Sequence, residues 1–172
     1  KSLYKRNLLN LLKNDSLNQY LDSKNIKLCF APHHALLQMV DFNLQDSCKN
    51  VEIVESTKIS EYIKTCSCLI TDFSSVAFDF MFQNKPVIYY LPDCEDKNLD
   101  NNDIEDLALV RDEKSKFVPN VYTDETLVIE KIKYYAENNF SLEEETSKIY
   151  DKFFYVKDNI RAKIVEEINK IC

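Results

Sequence analysis

Glycine is absent from all 172 residues of this chain. No P-loop, no glycine-rich dinucleotide fingerprint and no glycine-flanked nucleophile elbow can therefore exist in it. Any phosphate cradle must use Ser, Thr or Asn, and the abundant Asn residues are expected at positive-φ positions that glycine normally takes. Histidine is nearly as scarce: the two present, His33 and His34, are adjacent. Cysteines stand at 29, 48, 66, 68, 94 and 172. Cys66 and Cys68 form C-x-C rather than C-x-x-C, and no second pair completes a zinc set, so no metal is expected. The spacings do not form a secreted disulfide framework, which leaves reduced thiols in a cytoplasmic protein, several of them in the core. No apolar run approaches the ~20 residues of a membrane-spanning helix. The longest, Lys85 to Leu91, contains Pro86 and is strand-sized.

Basic residues are outnumbered, with 22 Lys+Arg against 29 Asp+Glu and a net charge of −7. That balance argues against broad nucleic-acid binding, which needs a basic face. It leaves room for a local phosphate site, because helix N-termini bind anions through backbone N–H groups. The length fits one domain with a sizeable core, and a hydrophobic fraction of 45% excludes a disordered chain. The opening Lys-Ser-Leu-Tyr-Lys-Arg has neither Met nor a signal-peptide core. We read it as a cut inside a longer protein.

Leu at 3, 8, 9, 12, 17 and 21 has helical spacing over residues 3–23. Strands are predicted at 26–31, 51–54, 68–71 and 86–91, with Pro86 at a strand start, where the ladder tolerates it. Between them, a short helix is expected over 35–42, a helix over about 58–66 capped by Ser56 or Thr57, and a helix from Ser74 or Ser75 to about Gln83. Residues 92–106 read as an acidic, Asn-rich loop and 107–110 as a short strand. Helices follow at about 124–138, 142–155 and 158–171. Short apolar strands alternating with helices predict an α/β domain with a parallel sheet. Such sheets bind ligands in the crevice beyond the carboxyl ends of their strands. Those ends carry Pro32-His33-His34, Glu55-Ser56-Thr57, Asp72-Phe73-Ser74-Ser75 and Pro92-Asp93.

Asp72 ends a strand, and Ser74 and Ser75 stand where the N–H groups of the next helix are free. Hydroxyls and helix dipole together offer a glycine-free phosphate site. Asp79, four residues after Ser75, shares its helix face and could accept hydrogen bonds from a ribose diol. The plain alternative is an N-cap by Asp72 or Ser74 with Asp79 solvated. His33 could touch a phosphate as imidazolium or act as a general acid or base; the alternative is a surface loop histidine. Lys85-Pro86 is assigned to the turn, Tyr89-Tyr90 to strand packing and Arg161 to a structural helix.

The run from Cys68 through Thr71-Asp72-Phe73-Ser74-Ser75-Val76-Ala77-Phe78-Asp79-Phe80, followed by Lys85-Pro86-Val87-Ile88-Tyr89-Tyr90, resembles the CDP-glycerol glycerophosphotransferase family of teichoic-acid and capsule polymerases. Phe30-Ala31-Pro32-His33 upstream, and Tyr150 to Phe154 with Asp158 and Arg161 downstream, resemble its other conserved-order pieces. The resemblance implies a GT-B enzyme built of two Rossmann-like domains. Residues 1–172 would be its C-terminal, donor-binding domain: a parallel sheet flanked by helices, closed by helices over about 124–171. It places the family's phosphate-binding, catalytic histidine at His33 and its donor site at Asp72, Ser74 and Ser75. Asp79 becomes a ribose ligand only by analogy with other GT-B donor sites.

The implied reaction is attack of an acceptor hydroxyl on the donor β-phosphate, expelling CMP. The donor would be CDP-glycerol or a related CDP-polyol, with no separate cofactor. The acceptor, a polymer or lipid-linked chain, would sit in an N-terminal domain that also brings the catalytic base, so the fragment alone should be inactive. The parent protein would be cytoplasmic and peripheral on the inner face of a bacterial membrane. His34 departs from the family's usual proline, and loop 93–106 replaces a glycine-containing stretch. Competing readings are a GT-B glycosyltransferase using a nucleotide sugar and a non-catalytic nucleotide-binding module. A phospho-acceptor receiver domain is disfavoured because it needs an acidic pair after its first strand, where this chain has Pro-His-His.

Overall fold

The computed structural model describes residues 3–32, 48–72, 74–92, 120–154 and 159–171. The helix expected at 35–42, the strand expected at 107–110, the loop 93–106, His33 and His34 lie outside the described residues. The elements are α1 (Leu3–Lys13), α2 (Asp15–Ser23), β1 (Leu28–Phe30), β2 (Val51–Ile53), α3 (Ile59–Thr65), β3 (Leu69–Thr71), α4 (Val76–Phe82), β4 (Val87–Tyr90), β5 (Val121–Tyr122), α5 (Glu125–Glu137), α6 (Glu144–Phe153) and α7 (Ile160–Ile171).

Two local expectations are corrected, and one strand was not expected. The helix predicted over 3–23 is two helices. Asn14 adopts an extended conformation and its side chain accepts from the Leu17 N–H at 3.0 Å, so it caps α2 and breaks the run. Its amide also donates to Glu125 on α5 at 2.8 Å, which ties the break to the rest of the fold. Lys58, rather than Ser56 or Thr57, holds the N-cap position of α3. Residues 56–58 form a 3-10 turn, and Lys58 leads into the helix without a side-chain cap. Finally, β5 had no expected counterpart; two residues are too few to show alternation.

Among the described residues the strands form two parallel sheets, β1–β2 and β3–β4–β5, with β4 between β3 and β5. Leu28, Cys29 and Phe30 pair with Val51, Glu52 and Ile53. Leu69, Ile70 and Thr71 pair with Val87, Ile88 and Tyr89. All four residues of β4 are buried, as a central parallel strand requires. The pleat sends Ile88 and Tyr90 to one face, against Leu11, Leu17, Leu21, Val128, Ile132 and Tyr135 of α1, α2 and α5. Val87 and Tyr89 go to the other, against Ala77, Phe80 and Met81 of α4 and Tyr150 of α6. Leu28 of β1 packs with the first of these clusters and with Leu12, Cys48 and Val51. Each fully buried Ile, Val or Met contributes roughly 1.5–3 kcal/mol. Helices on both faces of parallel strands make a Rossmann-like arrangement.

The missing glycines are replaced as expected. Asn25, Asn84, Asn120, Asn139 and Asn159 all have φ between 53° and 66°, alongside Phe140 at 54°. Asn tolerates the left-handed region better than other non-glycine residues. Asn84 turns the chain from α4 into β4, where a glycine would be unremarkable.

Candidate functional site

Because the strands are parallel, their carboxyl ends share one edge of each sheet. Thr71, the last residue of β3, is in register with Tyr89. Asp72 therefore emerges at that edge beside the end of β4. It is half-buried and engaged with neighbouring groups. The next described residues, Ser74 and Ser75, are exposed and run directly into α4.

Ser74 Oγ accepts the Val76 N–H at 3.4 Å, and the Ser74 carbonyl accepts the Ala77 N–H at 3.1 Å. Ser75 is already helical, with φ −62° and ψ −17°, and makes no side-chain cap bond. Thus Ser74 has the capping role, and Ser75 presents its hydroxyl at the start of the helix. Asp79 is exposed on the face that carries Ser75. The opposite face of α4 is anchored by Ala77, Phe80 and Met81, which fixes how the turn is presented. The Asp79 carbonyl accepts from Gln83 Nε2 at 2.9 Å, leaving its side chain outside that bond.

The structure thus brings Asp72, Ser74, Ser75 and Asp79 together on one strand–turn–helix unit. His33 lies outside the described residues. Its neighbour Pro32 is buried directly after β1, and the Val54 N–H bonds to the Phe30 carbonyl at 2.8 Å, so the chain leaves β1 along the same kind of edge. At the end of β2, Thr57 donates to Glu55 at 3.5 Å and Lys58 pairs with Glu55 at 3.8 Å. These groups satisfy one another at the surface. Beyond β5, Asp124 accepts the N–H groups of Thr126 and Leu127 at 2.6 and 3.4 Å and caps α5. This contribution to the edge was not anticipated, since β5 itself was not.

Other sequence-marked residues have structural roles. Lys85 donates to the carbonyls of Ile63 and Lys64, both at 2.9 Å, and closes the C-terminus of α3, where a cation is favoured. Tyr89 and Tyr90 pack on opposite faces of the sheet, and burial pushes the Tyr89 phenol up to about 12. Phe154 stacks edge-on against Phe82 at 5.5 Å, joining the end of α6 to α4. Arg161 is exposed on α7.

Residues 5–170 match the family model described as CDP-Glycerol:Poly(glycerophosphate) glycerophosphotransferase. The chain is 30% identical over 161 residues to the minor teichoic acid biosynthesis protein GgaB of Bacillus subtilis strain 168, covering 92% of this chain and 17% of that protein. It is 30% identical over 181 residues to the teichoic acid poly(glycerol phosphate) polymerase of Bacillus spizizenii, covering 98% of this chain and 40% of that protein. The chain therefore spans less than half the length of either relative. No solved structure matches it.

Proposed function

The chain belongs to the CDP-glycerol:poly(glycerophosphate) glycerophosphotransferase family, and from that premise we propose that it is the donor-binding domain of an enzyme transferring polyol phosphate from a CDP-activated donor to a teichoic-acid-type polymer. In this reading residues 1–172 form one Rossmann-like domain, the C-terminal half of a GT-B architecture. The observation that carries it is the β3–turn–α4 unit, which presents Ser74 and Ser75 at the carboxyl edge of a parallel sheet, with Asp72 before them and Asp79 one turn on. Backbone N–H groups and serine hydroxyls are the donors a pyrophosphate needs where no glycine loop exists.

Each residue then has a role. Ser74 and Ser75 hold the donor pyrophosphate. Asp72 orients the turn, and Asp79 accepts from the ribose hydroxyls. His33, three residues after Phe30 ends β1, donates to the phosphate oxygens. An acceptor hydroxyl attacks the β-phosphorus, the bond from that phosphorus to the CMP oxygen breaks, and CMP leaves with its electron pair. The domain contributes donor orientation and stabilisation of charge on the phosphates. The base that takes the hydroxyl proton, and the acceptor polymer, belong to the remainder of the parent enzyme. That enzyme would work in the cytoplasm against the inner face of the membrane. Among the described residues no helix is long and apolar enough to cross a membrane.

Calorimetric titration with CDP-glycerol, CMP, UDP and UDP-glucose tests this reading. Tighter binding of the cytidine ligands, weakened at least about tenfold in Ser75→Ala by loss of ~1.4 kcal/mol, is the expected result. A uridine preference would move the activity to sugar transfer on the same scaffold. Cytidine binding of equal strength in Ser75→Ala and Ser74→Ala would remove the serines from the site.

A further inference from the structure

The chain passes from the first sheet to the second through α3, and the two sides of that helix are held differently. Toward the second sheet the hold is broad. Ile63 of α3 and Cys66 just after it pack into the cluster around Phe80, Met81 and Tyr150. Lys85 adds its bonds to the Ile63 and Lys64 carbonyls. Toward the first sheet the hold is narrow. Among the described residues, the clusters that contain Leu28, Phe30 and Val51 include no residue of α3. What crosses there is a hydrogen bond: the Tyr62 hydroxyl donates to Glu52 Oε1 at 2.8 Å. Glu52 Oε2 lies 3.8 Å from Lys27 Nζ, just ahead of β1.

Strand register carries that bond toward the carboxyl edge. Glu52 pairs with Cys29, and Ile53 with Phe30. The Val54 N–H then donates to the Phe30 carbonyl at 2.8 Å. The ends of β1 and β2 are thus one piece, and Ala31 and Pro32 follow directly. Val51 faces Leu12 and Cys48 in the core, and its neighbour Glu52 points to the opposite face. Apolar burial is non-directional, and it alone leaves a two-stranded piece free to pivot. A hydrogen bond to a carboxylate fixes distance and angle. Tyr62 supplies that directional constraint on the face opposite Val51.

We propose that Tyr62 is a positioning residue of the donor site: through Glu52 it fixes the carboxyl ends of β1 and β2 relative to the β3–turn–α4 unit. A ligand that touches both Ala31 and the serine turn then meets a crevice of set width, and does not have to order it on binding. The role in binding rests on the donor-site reading given above; the tie between helix and strand does not. Lys85 differs, because Ile63 and Cys66 still anchor α3 to the second sheet when its ammonium is removed.

The test uses the full chain and the variants Tyr62→Phe, Glu52→Ala and Glu52→Gln. Amide hydrogen exchange reads the tie without any ligand. Exchange at Leu28–Phe30 and Val51–Ile53 should be about fivefold faster in Tyr62→Phe and in Glu52→Ala, as the loss of one hydrogen bond implies. Leu69–Thr71 and Val87–Tyr90 should exchange as in the parent chain. Glu52→Gln retains an acceptor oxygen and should keep the parent rates. Adding Tyr62→Phe to Glu52→Ala should bring no further acceleration. Titration with CDP-glycerol then reads the positioning. In Tyr62→Phe the affinity should fall about fivefold, and the amide shift at Ala31 should shrink while those at Ser74 to Ala77 persist. Parent-like exchange in Tyr62→Phe would overturn the tie and the proposal with it. Faster exchange with unchanged affinity and an unchanged shift pattern would make Tyr62 purely structural and overturn its positioning role. A parent chain that binds no CDP-glycerol would overturn the donor-site reading and this role together, while the exchange rates still report the tie by itself.

Discussion

At the amino end of the β3–β4–β5 sheet the polar groups satisfy one another, whereas at the carboxyl end the small polar groups face solvent. Around the start of β4, Glu143 accepts from Lys131, from the Tyr135 hydroxyl at 2.7 Å and from Thr146 at 3.3 Å. Asn120 donates to the Tyr135 hydroxyl at 2.8 Å and to the Val87 carbonyl at 3.4 Å. The Tyr150 hydroxyl accepts the Val87 N–H at 3.2 Å. Lys131 lies over the rings of Tyr134 and Tyr135 at 4.4 and 4.7 Å. This network ties α5, α6, β4 and the approach to β5 into one unit. At the other end, Ser74, Ser75 and Asp79 are exposed on a well-anchored turn. One end uses its hydrogen-bonding capacity internally; at the other, Ser75 makes no cap bond and Asp79 is exposed. Parallel sheets place function at the carboxyl edge, and this asymmetry is the form that rule takes here.

The comparison is broken most strongly at the layer both ends depend on. Ile88 is fully buried in β4. Ile88→Ala should cost about 2–5 kcal/mol, read by urea denaturation, and should loosen both ends together. A smaller loss, about 2 kcal/mol, is expected for Glu143→Ala, which strands Lys131 and Tyr135 in a partly screened site. Nucleotide affinity of the folded fraction should not change in that variant; a matching loss of affinity would show that the two ends are not separable.

Glu143 also carries a pH signature. Burial alone would raise its pKa, but hydrogen bonds from Lys131 and Tyr135 outweigh it and hold the carboxyl below its ordinary 4.5. A depressed folded pKa adds stability that is complete above the ordinary value and is lost as pH falls through the folded one. Stability should therefore fall less steeply in Glu143→Gln than in the parent chain between about pH 5 and pH 3. Parallel pH profiles would remove Glu143 from the acid response. Lys85→Met should cost about 1 kcal/mol through loss of the α3 cap, seen as a lower melting temperature with ligand binding retained. Smallest in stability is Ser75→Ala, within about 0.5 kcal/mol because the residue is exposed and makes no cap bond; yet it should carry the largest loss of nucleotide binding.

Much of this asymmetry was legible from residue order. Strand runs bounded by Pro32, Pro86 and polar turns located β1 to β4, and those boundaries pointed to Asp72, Ser74 and Ser75 as an edge. Asn in the left-handed positions followed from the absence of glycine. Features set by distant partners were not legible. Asn14 splits a leucine-periodic stretch because it can both cap α2 and reach Glu125. The Glu143–Tyr135–Asn120 network joins residues from three separate segments, and nothing local marks Tyr135 as different from Tyr134. Lys85 read as a turn residue, and only the fold shows that its ammonium ends α3.

The account rests on the carboxyl edge being the nucleotide site. Backbone amide shifts of the chain titrated with CDP-glycerol test this directly. The account predicts perturbations at Ala31, His33, Asp72 and Ser74 to Ala77, with Asn120, Tyr135 and Glu143 unmoved. Shifts centred on Asn120, Tyr135 and Glu143, with the serine turn silent, would contradict it.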